Sequence, residues 1–381
     1  MEPNKMMNIF NEYLLKHRER IVGLDIMRSV AILTVVYAHS AMLVPEKYRS
    51  IYWKLNFLKF DGVSIFFVLS GFLIGGILLK TIRKTDFTLK DLMNFWIRRW
   101  FRTIPNYLFV LITVVCLSYL FSGGFGDFNL KYFLFLQNFS SPHPGFFAEA
   151  WSLTIEEWFY LLFPLSCYVF HKMLKNKTKS VLLSAIVFLF VPLIIRIVKF
   201  ELGIGTHDLD GEFRKIVIVR LDSLMFGIFG VYLQFSRPAI WNKLRYHLLL
   251  AGIFLVIMLN INPLNWKYYY YPLNFNIEAI TTFCFLPFLS GLRTTRVKIF
   301  DVVFIFISII SYSMYLLNLS VVNFNLIPPI RSILLKTNLP LATSGYTYYL
   351  LYWFLVIFGS FLLYRYFENP MTKLREKFSL K

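Results

Sequence analysis

The stretch DIMRSVAILTVVYAHSAML, residues 25 to 43, sets Asp25, Arg28 and His39 into a run otherwise fit for hydrocarbon. A charge near a bilayer centre costs roughly 2.5–3.5 kcal/mol for Arg or Asp on insertion scales, so such residues call for a use. Imidazole is the side chain best suited to take a proton from a hydroxyl near neutral pH. On a helix, the eleven residues from Arg28 to His39 make just over three turns. The two side chains therefore point the same way, about 16 Å apart along the axis. Asp25 lies one turn before Arg28 and is placed to pair with it. Taken singly, Arg28 reads as a snorkelling cation and His39 as a packed core imidazole. Taken together, on one face and with further polar sites along the chain, they read as functional.

Further constellations accompany the first. FWIRRWFRTIP, residues 95 to 105, places Arg98, Arg99 and Arg102 just ahead of an apolar run. Arg98 and Arg102 share a helix face at i, i+4, with Arg99 beside them. Guanidinium forks donate paired hydrogen bonds to phosphate oxygens, and the alternative is contact with anionic lipid head groups. AEAWSLTIEEWFYLLFP, residues 148 to 164, sets Glu149, Glu156 and Glu157 around Trp151 and Ser152. Glu156 and Glu157 face different directions, so at least one should point into the bundle, where a carboxylate marks a site or a relay. Capping of the helix from the interface is the structural alternative. VRLDSLMFGIFG, residues 219 to 230, carries Arg220 and Asp222, able to pair with each other or with groups elsewhere. FFVLSGFLIGG, residues 66 to 76, has Ser70 followed by Gly71 and Gly75 at small-xxx-small spacing, a mark of close helix packing and secondarily of a narrow ligand groove.

The elements that must position these residues are membrane spans. Apolar residues make up 57% of 381, charged residues only 16%, and mean hydropathy is +0.59, outside the range of soluble globular chains. The fold class is all-α, a polytopic transmembrane bundle of about ten spans near 22–43, 62–80, 104–121, 151–170, 180–198, 217–235, 246–262, 274–290, 300–324 and 347–366. Each approaches the ~20 residues needed to cross hydrocarbon. The ninth runs long and is expected to break at Pro328 and Pro329. Residues 1–20 are expected to be a polar, cytoplasmic N-terminal segment with no cleavable leader, 21–368 the membrane domain, and 369–381 a basic cytoplasmic tail.

The net charge of +19 would suit nucleic acid, but its placement points to topology instead. The termini and even-numbered loops hold 26 of the 40 Lys and Arg residues, the opposite loops 11, and Arg28, Arg196 and Arg220 lie within spans. The positive-inside bias then puts both termini in the cytoplasm, which an even number of spans satisfies. The loops at 122–150, 199–216 and 262–273 face outward, the last with Trp266 and Tyr268 to Tyr271 as sugar-stacking rings or an interfacial belt. Cys116, Cys167 and Cys284 fall inside spans and read as free thiols. No metal-ligand spacing is evident.

Arg28 with His39, FFVLSGFLI at 66–74, RRWFRTIP at 98–105, WSLTIEEWFYLLFP at 151–164, RLDSLMFG at 220–227, SYSMYLLN at 311–318 and YRYFENP at 364–370 together resemble the acyltransferase-3 family of integral membrane acyltransferases. The resemblance implies a ten-helix inner-membrane enzyme. Such an enzyme moves an acyl group, commonly acetyl from acetyl-CoA, onto a hydroxyl, usually of a surface glycan such as O-antigen, capsule or peptidoglycan. By the same resemblance, His39 matches the family's essential histidine and Arg28 its paired arginine. Arg98, Arg99 and Arg102 match its cytoplasmic arginine motif, and Glu156 the glutamate of WSLxxE. Two departures stand out. Asn318 occupies a position where the family often has histidine, and the extracytoplasmic esterase-like domain of longer members is not expected.

The mechanism these residues suggest has acyl-CoA docking from the cytoplasm, its phosphates on Arg98, Arg99 and Arg102 and its pantetheine arm beside Arg28. His39 acts as general base or carries the acyl group, and Glu156 orients the imidazole or binds the acceptor. Expected partners are membrane lipids, acyl-CoA, a glycan or other hydroxyl acceptor and glycan-assembly proteins. A proton-coupled transporter or flippase for a lipid-linked sugar is the rival reading, since intramembrane Arg, His and Glu equally suit a proton relay. Such a relay has no need of the arginine triplet.

Overall fold

A computed structural model of the protein describes residues 20–55, 61–84, 87–205, 207–208, 210–261, 272–337 and 345–378. Among the described residues every regular element is a helix and no strand occurs. The principal helices are α1 (Val22–Ser40), α2 (Gly62–Lys84), α3 (Leu89–Ser122), α4 (Ala150–Leu174), α5 (Lys177–Glu201), α6 (Ser223–Ser236), α7 (Arg245–Ile261), α8 (Asn274–Leu289), α9 (Lys298–Leu317), α10 (Ile327–Leu335), α11 (Gly345–Leu363) and α12 (Asn369–Phe378). Among the described residues six helical runs are long and apolar enough by themselves to cross a membrane, and α6 and α7 are shorter apolar helices. The chain is a multi-pass, all-α membrane protein. The expected rings at Trp266 and Tyr268 to Tyr271 lie outside the described residues.

Three spans differ from their expected limits, each for a local reason. α3 starts fifteen residues before the expected 104, because Thr88 and Asp91 form a reciprocal capping box: the Thr88 amide donates to Asp91 Oδ2 at 2.9 Å and the Asp91 amide to Thr88 Oγ1 at 3.3 Å. Arg98, Arg99 and Arg102 are thereby fixed on a rigid helix rather than on a flanking loop. The sixth span begins at Ser223 instead of 217, with Val217–Val219 forming a 3-10 turn and Arg220 and Asp222 preceding the helix. The ninth does not break at Pro328 and Pro329. α9 passes into a π-helical segment, Asn318–Leu326, and the prolines fall in the first turn of α10, where a missing N–H costs little.

The glycine spacing at 71 and 75 marks a close crossing, as its pattern predicts. A Cβ on Gly71 would stand 2.0 Å from the Leu224 carbonyl oxygen, and one on Gly227 would stand 2.0 Å from that of Val68. α2 and α6 thus meet backbone to backbone, and only hydrogen fits on either side.

Asp222 pairs with Arg196 of α5, not with Arg220. Both partners are fully buried and lie 2.5 Å apart. Arg196 also donates from Nε to the Pro272 carbonyl at 2.9 Å, from Nη1 to the Val219 carbonyl and from Nη2 to Asn276 Oδ1. Asn276 Nδ2 donates to Asp222 Oδ2 at 2.8 Å, tying α8 into the same knot. Its role is structural. Asp222→Ala leaves a guanidinium buried without its counter-charge, a change that costs about 3–5 kcal/mol. Thermal melting of the detergent-solubilised variant should show the loss as a clearly lowered midpoint. An unchanged midpoint would mean the pair contributes nothing.

Candidate active site

Two cavities lie end to end along α1, one at each end of the stripe formed by Arg28 and His39. The first, about 550 Å³, is lined by Arg20, Arg28, Lys80, Arg99 and Arg102, with Glu156, Ser70, Ser152 and Tyr160 deeper in the bundle. The second, about 450 Å³, is lined by His39, Asp61, Glu149, Trp151, Arg214 and Glu278 among others. Val63 and Tyr315 line both, so the two spaces are separated by little more than those side chains.

The first cavity is built for anions. The guanidinium groups of Arg28, Arg99 and Arg102 make no hydrogen bond or ion pair among the described residues, and all three line the open space. Arg99 and Arg102, at i, i+3, are the two of the triplet that reach this cavity. Arg98 lines a smaller neighbouring one, so the expected pairing of Arg98 with Arg102 on a single face does not describe the site. Asp25 is not the partner of Arg28 either. It pairs with Arg20, whose Nε donates to Oδ2 at 2.9 Å, and it accepts from Ser308 Oγ at 2.6 Å. With Asp25 engaged elsewhere, Arg28 keeps its charge for a ligand.

Glu156 belongs to this end as well. It accepts from Ser70 Oγ at 2.6 Å and from the Tyr160 hydroxyl at 3.1 Å. It lines the cavity of Arg28 and not that of His39, so it does not orient the imidazole.

That task falls to Asn318, at the start of the π-helical segment. Its Nδ2 donates to the carbonyls of Met314 at 3.0 Å and Tyr315 at 2.7 Å, which uses both amide hydrogens. Oδ1 is left to face His39 Nδ1 at 2.5 Å. An amide oxygen only accepts, so Nδ1 carries the proton and Nε2 keeps its lone pair. Nε2 is then ready to take a proton from a hydroxyl. Asn323 holds the same turn from below, donating to the His39 carbonyl at 2.9 Å. The π register, a feature frequent at functional sites, also places Ser320, whose backbone amide donates to Glu149 at 3.1 Å.

The His39 cavity has a charged rim. Arg214 bridges Asp61 at 3.0 Å and Asp210 at 2.9 Å, and its guanidinium lies 4.7 Å from the centre of the Trp151 ring. Asp210 lies in the loop outside the spans. Burial pushes its carboxyl up, but Arg214 and Lys215 more than offset this and hold it below the usual carboxylate range. Arg220, fully buried, donates to Ser64 Oγ at 2.9 Å and stacks on Phe275 at 4.1 Å. Ser64 in turn donates to Glu278 at 2.7 Å. Arg220 therefore braces the wall from behind. Ser152 Oγ and the Tyr315 hydroxyl bond at 2.6 Å across the partition between the cavities.

Sequence reasoning missed Asn318 as a positioning residue, together with Tyr315, Asp61 and Arg214. The signal for the first was present, since Asn318, Asn323 and Asn325 are three amides in an apolar run ahead of Pro328 and Pro329. Asp61 and Arg214 sit 153 residues apart in loops, and no local pattern links them.

A multi-pass helical bundle with a basic pocket and a histidine pocket back to back suits group transfer or transport within a membrane. The sequence profile of the acyltransferase-3 family, described as an acyltransferase domain, matches residues 21–365, and the chain belongs to that family. Over 392 aligned residues it is 26% identical to a Staphylococcus aureus (strain COL) protein provisionally named an O-acetyltransferase, covering 96% of this chain and 59% of that protein. It is 33% identical over 180 residues to a peptidoglycan O-acetyltransferase of Listeria monocytogenes, covering 42% of this chain and 26% of that protein. A Bacillus subtilis protein provisionally named a peptidoglycan O-acetyltransferase is 34% identical over 200 residues, 46% of this chain and 28% of its own length. The chain thus spans about three-fifths, or less, of the length of these relatives. No solved structure matches it.

Proposed function

We propose that the chain is a membrane O-acyltransferase that takes an acyl group, commonly acetyl, from acyl-CoA on the cytoplasmic side. The acceptor is a hydroxyl of a cell-wall or other extracytoplasmic glycan. The observation that carries this reading is the geometry of His39. An imidazole with its Nε2 lone pair kept free stands in one cavity, directly behind a second cavity whose unpaired arginines suit a phosphorylated donor. The ~16 Å between Arg28 and His39 is comparable with an extended pantetheine arm, so the thioester reaches the partition at Tyr315 while the nucleotide stays among the arginines.

In the reaction, the acceptor oxygen attacks the thioester carbonyl, a C–O bond forms and the C–S bond breaks. The acceptor proton passes to His39 Nε2 and then to the departing thiolate. Trp151 offers a flat face for a sugar ring in the His39 cavity. The family and the names of the relatives support acetyl transfer to a wall glycan. The bacterial inner membrane rests on the family resemblance, and the cytoplasmic termini rest on the charge count. Mass spectrometry of wall and surface glycans from cells with and without the gene should show an acyl mass lost in its absence. Unchanged acylation, with a lipid-linked sugar retained on the cytoplasmic side, would favour the flippase reading.

Sidedness has its own check. Asp208 and Asn176 are both exposed, on loops that the charge count assigns to opposite membrane faces. A cysteine at position 208 should be labelled by a membrane-impermeant thiol reagent added outside intact cells, and one at position 176 only after permeabilisation. The reverse pattern would overturn the proposed direction of transfer.

A further inference from the structure

A third cavity, about 370 Å³, opens beside the basic one and shares two of its wall residues, Ile77 and Arg99. Its remaining wall is Phe95 and Arg98 from α3 and Arg375 and Glu376 from α12. The C-terminal helix α12 lies along α3, with the Phe101 and Phe378 rings stacked at 5.0 Å, which brings Arg375 to the arginine motif. The guanidinium groups of Arg98, Arg99 and Arg375 make no hydrogen bond or ion pair among the described residues. Three guanidinium groups against the single carboxylate of Glu376 leave this small cavity net positive, and an anion bridging the arginines would form charge-assisted hydrogen bonds with them.

Arg99 therefore stands between two anion-binding spaces, one with Arg28 and Arg102 and one with Arg98 and Arg375. A ligand with two separate phosphate groups fits such a pair, and a single phosphate does not need it. Resting on the reading of the chain as an acyl-CoA-dependent transferase, we propose that the α12 cavity binds the ribose 3′-phosphate of the donor through Arg375 and Arg98. The diphosphate then lies with Arg99 and Arg102, and Ile77 and Phe95 offer an apolar wall beside the nucleoside. Arg375 lies outside the family-matched residues 21–365, and it becomes a donor-selecting residue that distinguishes coenzyme A from carriers without a 3′-phosphate. The same guanidinium groups would also suit an anionic lipid head group, so the test separates the two.

The full chain in proteoliposomes is assayed with acetyl-CoA and with acetyl-3′-dephospho-CoA. The expected wild-type preference for acetyl-CoA is about ten- to a hundredfold in kcat/KM, the range of one charge-assisted contact. Arg375→Ala should erase most of that preference, slowing acetyl-CoA use far more than use of the dephospho donor. Equal use of both donors by the wild type, or a preference that survives Arg375→Ala, would overturn the assignment. A fall with both donors that follows the anionic lipid content of the vesicles would assign the cavity to lipid instead. Failure of the wild type to turn over either donor would overturn the acyl-CoA reading itself, and this assignment with it.

Discussion

His39→Ala should lower acyl transfer by about 10²–10⁴-fold, the contribution of a positioned general base, with insertion and yield unchanged. The imidazole lines a cavity, and among the described residues its ring hydrogen-bonds only to Asn318. Asn318→Leu removes the acceptor that fixes the proton on Nδ1, so the tautomer with a protonated Nε2 becomes populated. That variant should lose turnover while its donor KM stays near the wild-type value, because the basic cavity is untouched. Quantifying acylated product at matched membrane expression tests both. Wild-type product from His39→Ala would remove the imidazole from the chemistry. A donor KM raised strongly by Asn318→Leu would mean that the two cavities are not functionally separate.

The combined change Arg99→Ala and Arg102→Ala should raise the donor KM steeply. Hydrogen bonds to charged groups contribute about 1.5–3 kcal/mol each, which is roughly ten- to a hundredfold per arginine. Turnover at saturating acyl-CoA should fall far less. Arg28→Lys should also weaken donor use, because an ammonium lacks the planar fork and Asp25 is already held by Arg20 and Ser308. Isothermal titration of acyl-CoA, run alongside the labelling of cysteines at positions 176 and 208, separates donor binding from topology. An unchanged affinity with inverted labelling would make the arginines an orientation signal only.

The helices themselves were legible because a bilayer admits few solutions. Apolar runs of about 20 residues must be helices, since no water satisfies backbone groups in hydrocarbon. The short connections then follow. The limits of α3 and the path from α9 to α10 were not read correctly, although their signals are local: the Thr88–Asp91 box, and prolines placed where a helix turn tolerates them.

At the site, the residues that must be charged or polar within hydrocarbon, Arg28, His39 and Glu156, announced themselves by their cost. Their partners did not. Glu156 was expected to orient the imidazole or to bind the acceptor, and it sits with Ser70 and Tyr160 away from His39. Asp25 was expected on Arg28 and instead holds Arg20. Helical periodicity says which way a side chain points, but not which of the neighbouring helices it meets. The bond between His39 and Asn318 spans 279 residues, and that distance in sequence is why it was invisible.

On the proposed mechanism an acyl group passes from a donor on one side of the membrane to an acceptor on the other. Proteoliposomes of known orientation, with isotopically labelled acetyl-CoA confined to one compartment and an oligosaccharide acceptor to the other, measure this directly. Labelled acetyl should appear on the acceptor only when the donor occupies the compartment facing Asn176. Acylation that requires donor and acceptor in the same compartment would contradict the account.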